Sequence, residues 1–329
     1  MKQQSFLGIS ALSFPRPPRP GGASENTARP FGPFWQALVP TDSYLHRVRY
    51  IERGEPDAPR TVICVHGILR NCRDMDFLAR QLSYRWRVVC PDMPGRGSSD
   101  WLNEPSEDAG YNYPQYMLDA TALVARLGVD AVDWVGTSMG GLLGMMLAAQ
   151  PNTFIRRLVM NDVGPFVPAS VAEHISTYVN LNLDFDTTEE IEAYLRQIYA
   201  GFGNLTSTQW RHMARHSQRR KPNGRLGLAF DPNIGLLYAP PYAPPFKDVD
   251  LWHLWDLVRC PVLVLRGENS PVLLPEKAEE MTRRGPRASV RVIPGCGHAP
   301  ALMSPEQIAI VEDWLENGEI KDVIDTAAS

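Results

Sequence analysis

A strand-like run at residues 131–135 passes directly into Gly136-Thr137-Ser138-Met139-Gly140, and a helical pattern at 142–149 follows almost at once. A turn that sharp leaves no room for side chains two positions either side of its centre. Glycines therefore flank it, and the central serine is held in a strained backbone conformation. The turn lifts the Ser138 hydroxyl to the C-terminal edge of a sheet and to the positive end of the helix that follows. Gly141 and Gly144 extend the small surface, which lets that helix lie close against the strands.

The rest of the chain supplies the sheet. Residues 47–51, 61–65, 88–90 and 155–160 read as strands, and helical spacing separates them at 74–82 and 116–127, the latter stopped by Gly128. The run Thr61-Val62-Ile63-Cys64-Val65 is apolar without alternation, as a central parallel strand covered on both faces must be. The rhythm then changes. Residues 163–250 hold helix-like pieces at 170–181, 188–199 and 208–217 and almost no strand signal, with prolines at 240, 241, 244 and 245. Alternation resumes at 261–266, 275–283, 289–293 and 305–316. The expected fold class is α/β: a mostly parallel central sheet with flanking helices and a helical lid insertion. The expected division is a Pro-rich N-terminal arm at 1–43, a core at 44–162 and 251–319, and the lid at 163–250.

Composition removes several classes of function. A net charge of −4 leaves no basic surplus to neutralise phosphates, so nucleic acid is not an expected partner. No apolar run approaches the 18 or so residues of a membrane span, so no membrane association is expected. The five cysteines at 64, 72, 90, 260 and 296 are scattered and form no CxxC pair, which fits reduced thiols in the cytoplasm and no metal site. No phosphate-binding P-loop and no G-x-G-x-x-G fingerprint is present, so no cofactor is expected.

A serine hydroxyl is a weak nucleophile and needs a base. Seven histidines are available. His298 stands in Pro294-Gly295-Cys296-Gly297-His298-Ala299-Pro300, directly after the strand at 289–293, where open α/β sheets place their sites. His66 is better suited to supporting its glycine-bearing loop by hydrogen bonds, and His174, His212, His216 and His253 lie in or beside the insertion.

In these features the sequence resembles the α/β-hydrolase fold family over roughly residues 45–316. It looks most like bacterial serine esterases, on His66-Gly67-Ile68-Leu69-Arg70-Asn71, Pro91-Asp92-Met93-Pro94-Gly95-Arg96-Gly97 and Asn161-Asp162-Val163-Gly164-Pro165. The resemblance implies an oxyanion hole made by the backbone N–H groups of Ile68 and Met139, and a triad of Ser138, His298 and an acid. Similar sequences carry an aspartate at the equivalent of position 270 or 271, where this chain has Ser270 and Pro271. Three readings remain open: the acid is Asp162, after the preceding strand; it is Glu268, reaching in with a longer side chain; or there is none. Asp162 is taken as the acid, against the plainer reading that its carboxylate only caps a turn.

A serine at 138 excludes the branches of this fold that work through an aspartate nucleophile. The expected activity is cofactor-independent hydrolysis of carboxylic esters through an acyl-enzyme on Ser138, with small esters or hydroxyalkanoate oligomers as substrates by analogy. Hydrolysis of C–C bonds, lactone opening, perhydrolysis and a non-catalytic binding role are the alternatives. Aromatic residues of the insertion, such as Tyr178, Tyr199, Trp210 and Phe230, would give the pocket an apolar roof. The basic run of Arg211, Arg215, Arg219, Arg220 and Lys221 reads as a solvated face. The expected partner is a small-molecule ester, and a homodimer is compatible with the sequence.

Overall fold

The central strands are apolar on both sides because each side meets its own layer of helices. A computed structural model describes residues 34–41, 44–102, 110–179, 181–238 and 245–318. Its strands are β1 (Trp35–Pro40), β2 (Leu45–Arg53), β3 (Thr61–Val65), β4 (Arg87–Pro91), β5 (Val132–Thr137), β6 (Ile155–Asn161), β7 (Phe166–Val167), β8 (Gln218–Arg220), β9 (Leu226–Leu228), β10 (Val249–Asp250), β11 (Val262–Gly267) and β12 (Ser289–Ile293). Its helices are α1 (Asp76–Leu82), α2 (Tyr113–Leu127), α3 (Met139–Ala148), α4 (Ala169–Ser176), α5 (Thr188–Ile198), α6 (Ser207–His216), α7 (Trp252–Trp255), α8 (Pro275–Met281) and α9 (Pro305–Asn317).

Eight strands form the main sheet in the order β1-β2-β4-β3-β5-β6-β11-β12. Only the pairings β1–β2 and β2–β4 are antiparallel; the others in this sheet are parallel. Alternate residues of each central strand serve opposite layers. Ile63, Val65, Trp134, Leu158, Met160 and Val264 join the core packed on α2, α3, α7 and α8. Val62, Cys64, Val135, Val159, Leu263 and Leu265 join the core packed on α1 and α9.

The register at the C-terminal edge positions everything that follows. Thr137 pairs with Asn161, and Asn161 with Leu265. The residues that leave β5, β6 and β11 therefore emerge side by side, although the sequence separates them widely.

Helix ends follow their local chemistry. Asn112 caps α2 by accepting from the Gln115 N–H, and Gly128 ends it at φ 68°, as expected from its sequence. The pattern at 74–82 divides into a 3-10 turn, Cys72–Met75, followed by α1.

Two readings of the sequence need correction. The stretch assigned to the arm contains β1, whose Ala37 and Val39 are buried, so the arm boundary at 43 cuts into the sheet. The insertion also contains strands where almost none were expected. β8 and β9 form one antiparallel ribbon, while β7 pairs with β10 and ties the two ends of the insertion together. Such two- and three-residue ribbons are too short to show a periodic pattern. Residues 1–33 of the arm and Pro240, Pro241 and Pro244 lie outside the described residues. Among the described residues no helix is long and apolar enough to cross a membrane.

Candidate active site

Ser138 links β5 to α3 with φ 51° and ψ −114°, a left-handed conformation that L-residues adopt only under constraint. The constraint is steric. A Cβ on Gly136 would lie 2.1 Å from the Gly140 carbonyl oxygen, and one on Gly140 would lie 2.4 Å from the Val65 carbonyl oxygen. Either methyl would push α3 off the sheet, so the two glycines permit the turn and the turn presents the hydroxyl.

His298 lies beside it, with Nε2 3.0 Å from Ser138 Oγ and Nδ1 2.8 Å from Asp162 Oδ2. The carboxylate can only accept, so Nδ1 carries the proton and Nε2 is left free to accept from the serine hydroxyl. Asp162 follows β6 in a left-handed conformation, φ 58°, and is 0% exposed. Its Oδ1 accepts from the Gly267 N–H at 2.8 Å, and its Oδ2 accepts from Ser270 Oγ at 2.6 Å as well as from His298. Burying a carboxylate is costly unless such donors surround it, and three surround this one. Glu268 is exposed, and its Oε2 accepts from the Gly295 N–H at 2.9 Å. Of the three readings for the acid, this geometry favours Asp162.

Two neighbours were not picked out from the sequence. Ser270 stands at one of the two positions, 270 and 271, at which the resemblance to serine esterases implied an aspartate. It accepts from the N–H groups of Val272 and Leu273 and donates its own hydroxyl to Asp162 Oδ2. The missing aspartate was itself the signal for it. Asn161 donates through Nδ2 to Thr137 Oγ1 and to the Pro300 carbonyl, tying the serine strand to the histidine loop. No local pattern marks that residue.

The loop after β3 faces the serine, since a methyl on Gly67 would sit 3.9 Å from Ser138 Cβ. No described hydrogen bond uses the N–H of Ile68. The N–H of Met139, the first in α3, has no partner within the helix by construction. His66 supports this loop: its Nε2 accepts from the Met93 N–H at 3.0 Å, and its Nδ1 donates to the Gly67 carbonyl at 2.7 Å. Full burial lowers its pKa to about 3, so the ring stays neutral.

That neutrality has a thermodynamic sign. Below the unfolded value near 6.5, the unfolded chain gains a proton at this ring and the folded chain does not. Stability is therefore lost as pH falls from 6.5 towards 3. At pH 5 the expected loss from this ring is about 2 kcal/mol. Urea unfolding at pH 7 and pH 5 should show the native chain losing that much more than His66→Gln. An equal loss in both would exclude His66 as the source.

The insertion reaches three loops of the core. The Gly201 carbonyl accepts from the Gly297 N–H at 2.7 Å, next to His298. Ala229 and Asp231 bond to Gly97 and Gly95, and the His216 carbonyl accepts from Asn71 Nδ2. Phe185, Ile191, Leu195, Phe202, Trp210 and Met213 of the insertion form one apolar cluster with Met303 of the core, and Phe77 and Ala301 pack against it. Arg211, Arg215 and Arg220 are exposed, as a solvated face should be, while Arg219 lies over the Trp101 ring.

His212 and His216 meet Asp76 with candidate ligand atoms within 4.8 Å of one another. The Asp76 carboxylate is already engaged by Arg73, with Nε at 2.8 Å, and His212 Nε2 lies 2.9 Å from the Arg73 carbonyl. A cation there would have to displace a guanidinium.

The comparisons with known proteins agree on the kind of molecule. The family described as "Alpha/beta hydrolase family" matches residues 62–310. The chain is 43% identical over 292 residues to a 3-hydroxybutyrate-oligomer hydrolase of Cupriavidus necator, covering 85% of this chain and 96% of the relative. It is 26% identical over 245 residues to a 2-(acetamidomethylene)succinate hydrolase of Mesorhizobium japonicum, covering 73% and 82%. Among solved structures, an alpha/beta hydrolase from Novosphingobium aromaticivorans is similar with a TM-score of 0.74 and 35% identity, covering 86% of this chain and 98% of that one.

Proposed function

The chain belongs to the alpha/beta hydrolase family, and on that premise we propose that its carboxylic-ester hydrolase activity is directed at small esters and short hydroxyalkanoate oligomers. The observation that carries the reading is the line of contacts from Ser138 Oγ through His298 to Asp162 Oδ2, at 3.0 and 2.8 Å.

In this mechanism Ser138 Oγ attacks the ester carbonyl while His298 Nε2 takes its proton. Asp162 holds the ring in the required tautomer and stabilises the imidazolium as it forms. The N–H groups of Met139 and Ile68 bind the oxyanion of the tetrahedral intermediate. In a comparable hydrolase, losing one such donor costs about 2.7–4 kcal/mol. His298 then protonates the departing alcohol, and water, activated by the same ring, releases the acid. Residues 163–250 serve as the lid. Their contacts with the loops at 95–97 and 297 support that role.

The small-molecule ester is the expected partner, with no nucleic acid and at most a second copy of the chain. The cytoplasmic location in this reading rests on the scattered free thiols at 64, 72, 90, 260 and 296.

The test is release of 3-hydroxybutyrate from its dimer and trimer, compared with hydrolysis of p-nitrophenyl butyrate. The oligomers should be turned over with the higher kcat/KM, and Ser138→Ala should abolish both activities. Turnover of p-nitrophenyl butyrate without any monomer release would remove the oligomer as substrate and leave a small-ester hydrolase.

A further inference from the structure

Arg96 is the buried charge that the mechanism above leaves unused. It is 0% exposed, and among the described residues no carboxylate forms an ion pair with it. Its Nε donates to the Ile68 carbonyl at 2.8 Å, and its Nη1 to the Pro94 carbonyl and to Tyr116 Oη, both at 2.7 Å. Its Nη2 points at Met139 Sδ, 3.7 Å away. The guanidinium also lies by the rings of Tyr116, 5.2 Å, and Tyr111, 5.6 Å.

A buried guanidinium with no carboxylate in direct contact is costly, and neutral acceptors and ring faces only partly offset the cost. A chain that needed only to pack this space could use methionine or leucine. What distinguishes the position is which residues the fork touches. One group reaches the Ile68 carbonyl and the Met139 side chain, and the N–H groups of those two residues form the oxyanion hole in the reading above.

We propose that Arg96 is the positioning residue of the oxyanion hole, holding the Ile68 and Met139 donors in register with a buried positive charge behind them. The proposal rests on the serine-hydrolase reading. Gripping the Ile68 carbonyl fixes the conformation of a loop residue that no helix or strand constrains. The charge acts at low dielectric and favours the state in which a carbonyl oxygen becomes an oxyanion over the neutral ground state. The turn that carries Arg96 is also bonded to the insertion, Gly97 N–H to the Ala229 carbonyl at 2.8 Å and Asp231 N–H to the Gly95 carbonyl at 2.7 Å. The insertion and the oxyanion donors thus share one support.

The experiment compares the native full chain with Arg96→Met and Arg96→Lys. Readouts are kcat and KM for p-nitrophenyl butyrate, and the inhibition constant of an alkyl trifluoromethyl ketone, which forms a tetrahedral oxyanion adduct on the serine. Arg96→Met should lose about 10²–10³ in kcat with KM within about threefold, as when an oxyanion donor is removed. Affinity for the ketone should fall in proportion to kcat/KM. Arg96→Lys keeps the charge without the fork and should fall between the two. If Arg96→Met does not accumulate as folded protein, Arg96→Lys decides alone, with a loss of at least about tenfold in kcat required. Folded variants with native kcat, or a loss confined to KM with unchanged ketone affinity, would overturn the proposal. Failure of the underlying reading is registered separately, by a Ser138→Ala chain that still hydrolyses the ester.

Discussion

Replacing Ser138 with alanine is expected to lower kcat for p-nitrophenyl butyrate by about a millionfold, close to the rate left by binding and the oxyanion donors alone. The change removes the hydroxyl proposed to form the acyl-enzyme, and with it labelling by a fluorophosphonate. Ser138 Oγ has His298 Nε2 as its side-chain partner, so the fold loses little. Unfolding free energy should change by no more than about 1 kcal/mol. Hydrolysis assays on freshly purified native and variant chains, with thermal unfolding as the control, decide the matter. A folded variant keeping more than about a hundredth of the native rate would require another nucleophile.

Asp162→Asn should lower kcat by about 10⁴, and the geometry says why. The Gly267 N–H at Oδ1 requires an acceptor, so the amide oxygen of the new side chain takes that place. The NH₂ is then turned towards His298 Nδ1 and Ser270 Oγ, where Oδ2 had been. A donor facing Nδ1 forces the proton onto Nε2, and the ring can no longer accept from Ser138. Ser270→Asp in the same chain puts a carboxylate back beside the position that Asp162 Oδ2 shares with Ser270 Oγ and His298 Nδ1. It should recover at least about tenfold of the lost rate. By contrast, Glu268→Gln should leave kcat within about twofold, since among the described residues that carboxylate accepts from the Gly295 N–H and not from His298. A large loss in Glu268→Gln with none in Asp162→Asn would transfer the acid to Glu268. Full activity in both would leave a working Ser–His pair without an acid.

Much of this molecule is written locally. The Gly136–Gly140 turn forbids side chains at the positions two either side of Ser138, so its conformation can be inferred from five consecutive residues. The unbroken apolar character of Val62, Ile63, Cys64 and Val65 can only satisfy a strand covered on both faces, and that implies helices above and below. Gly128 ended its helix where expected because an αL stop is itself a one-residue rule. The ribbons of the insertion were missed for the converse reason: three residues carry no period.

The acid could not be read this way. Asp162, Ser270 and Glu268 were all visible as residues, and each has chemistry suited to a role near a histidine. Whether a carboxylate faces Nδ1 depends on the register that brings Thr137, Asn161 and Leu265 into line across three strands. It depends also on the loop after β11 folding Ser270 back over Asp162, from a distance of 108 residues. Arg96 is a sharper case, since in the sequence it is one more charged residue in a glycine-rich turn. The sequence alone determined the apolar character of the central strands, the serine turn and the candidate histidine, all set by sterics and burial between near neighbours. Tertiary structure decided which carboxylate meets the histidine and which groups the buried Arg96 guanidinium touches. Those contacts join segments far apart in the chain, and only the packed sheet brings their atoms within hydrogen-bonding distance.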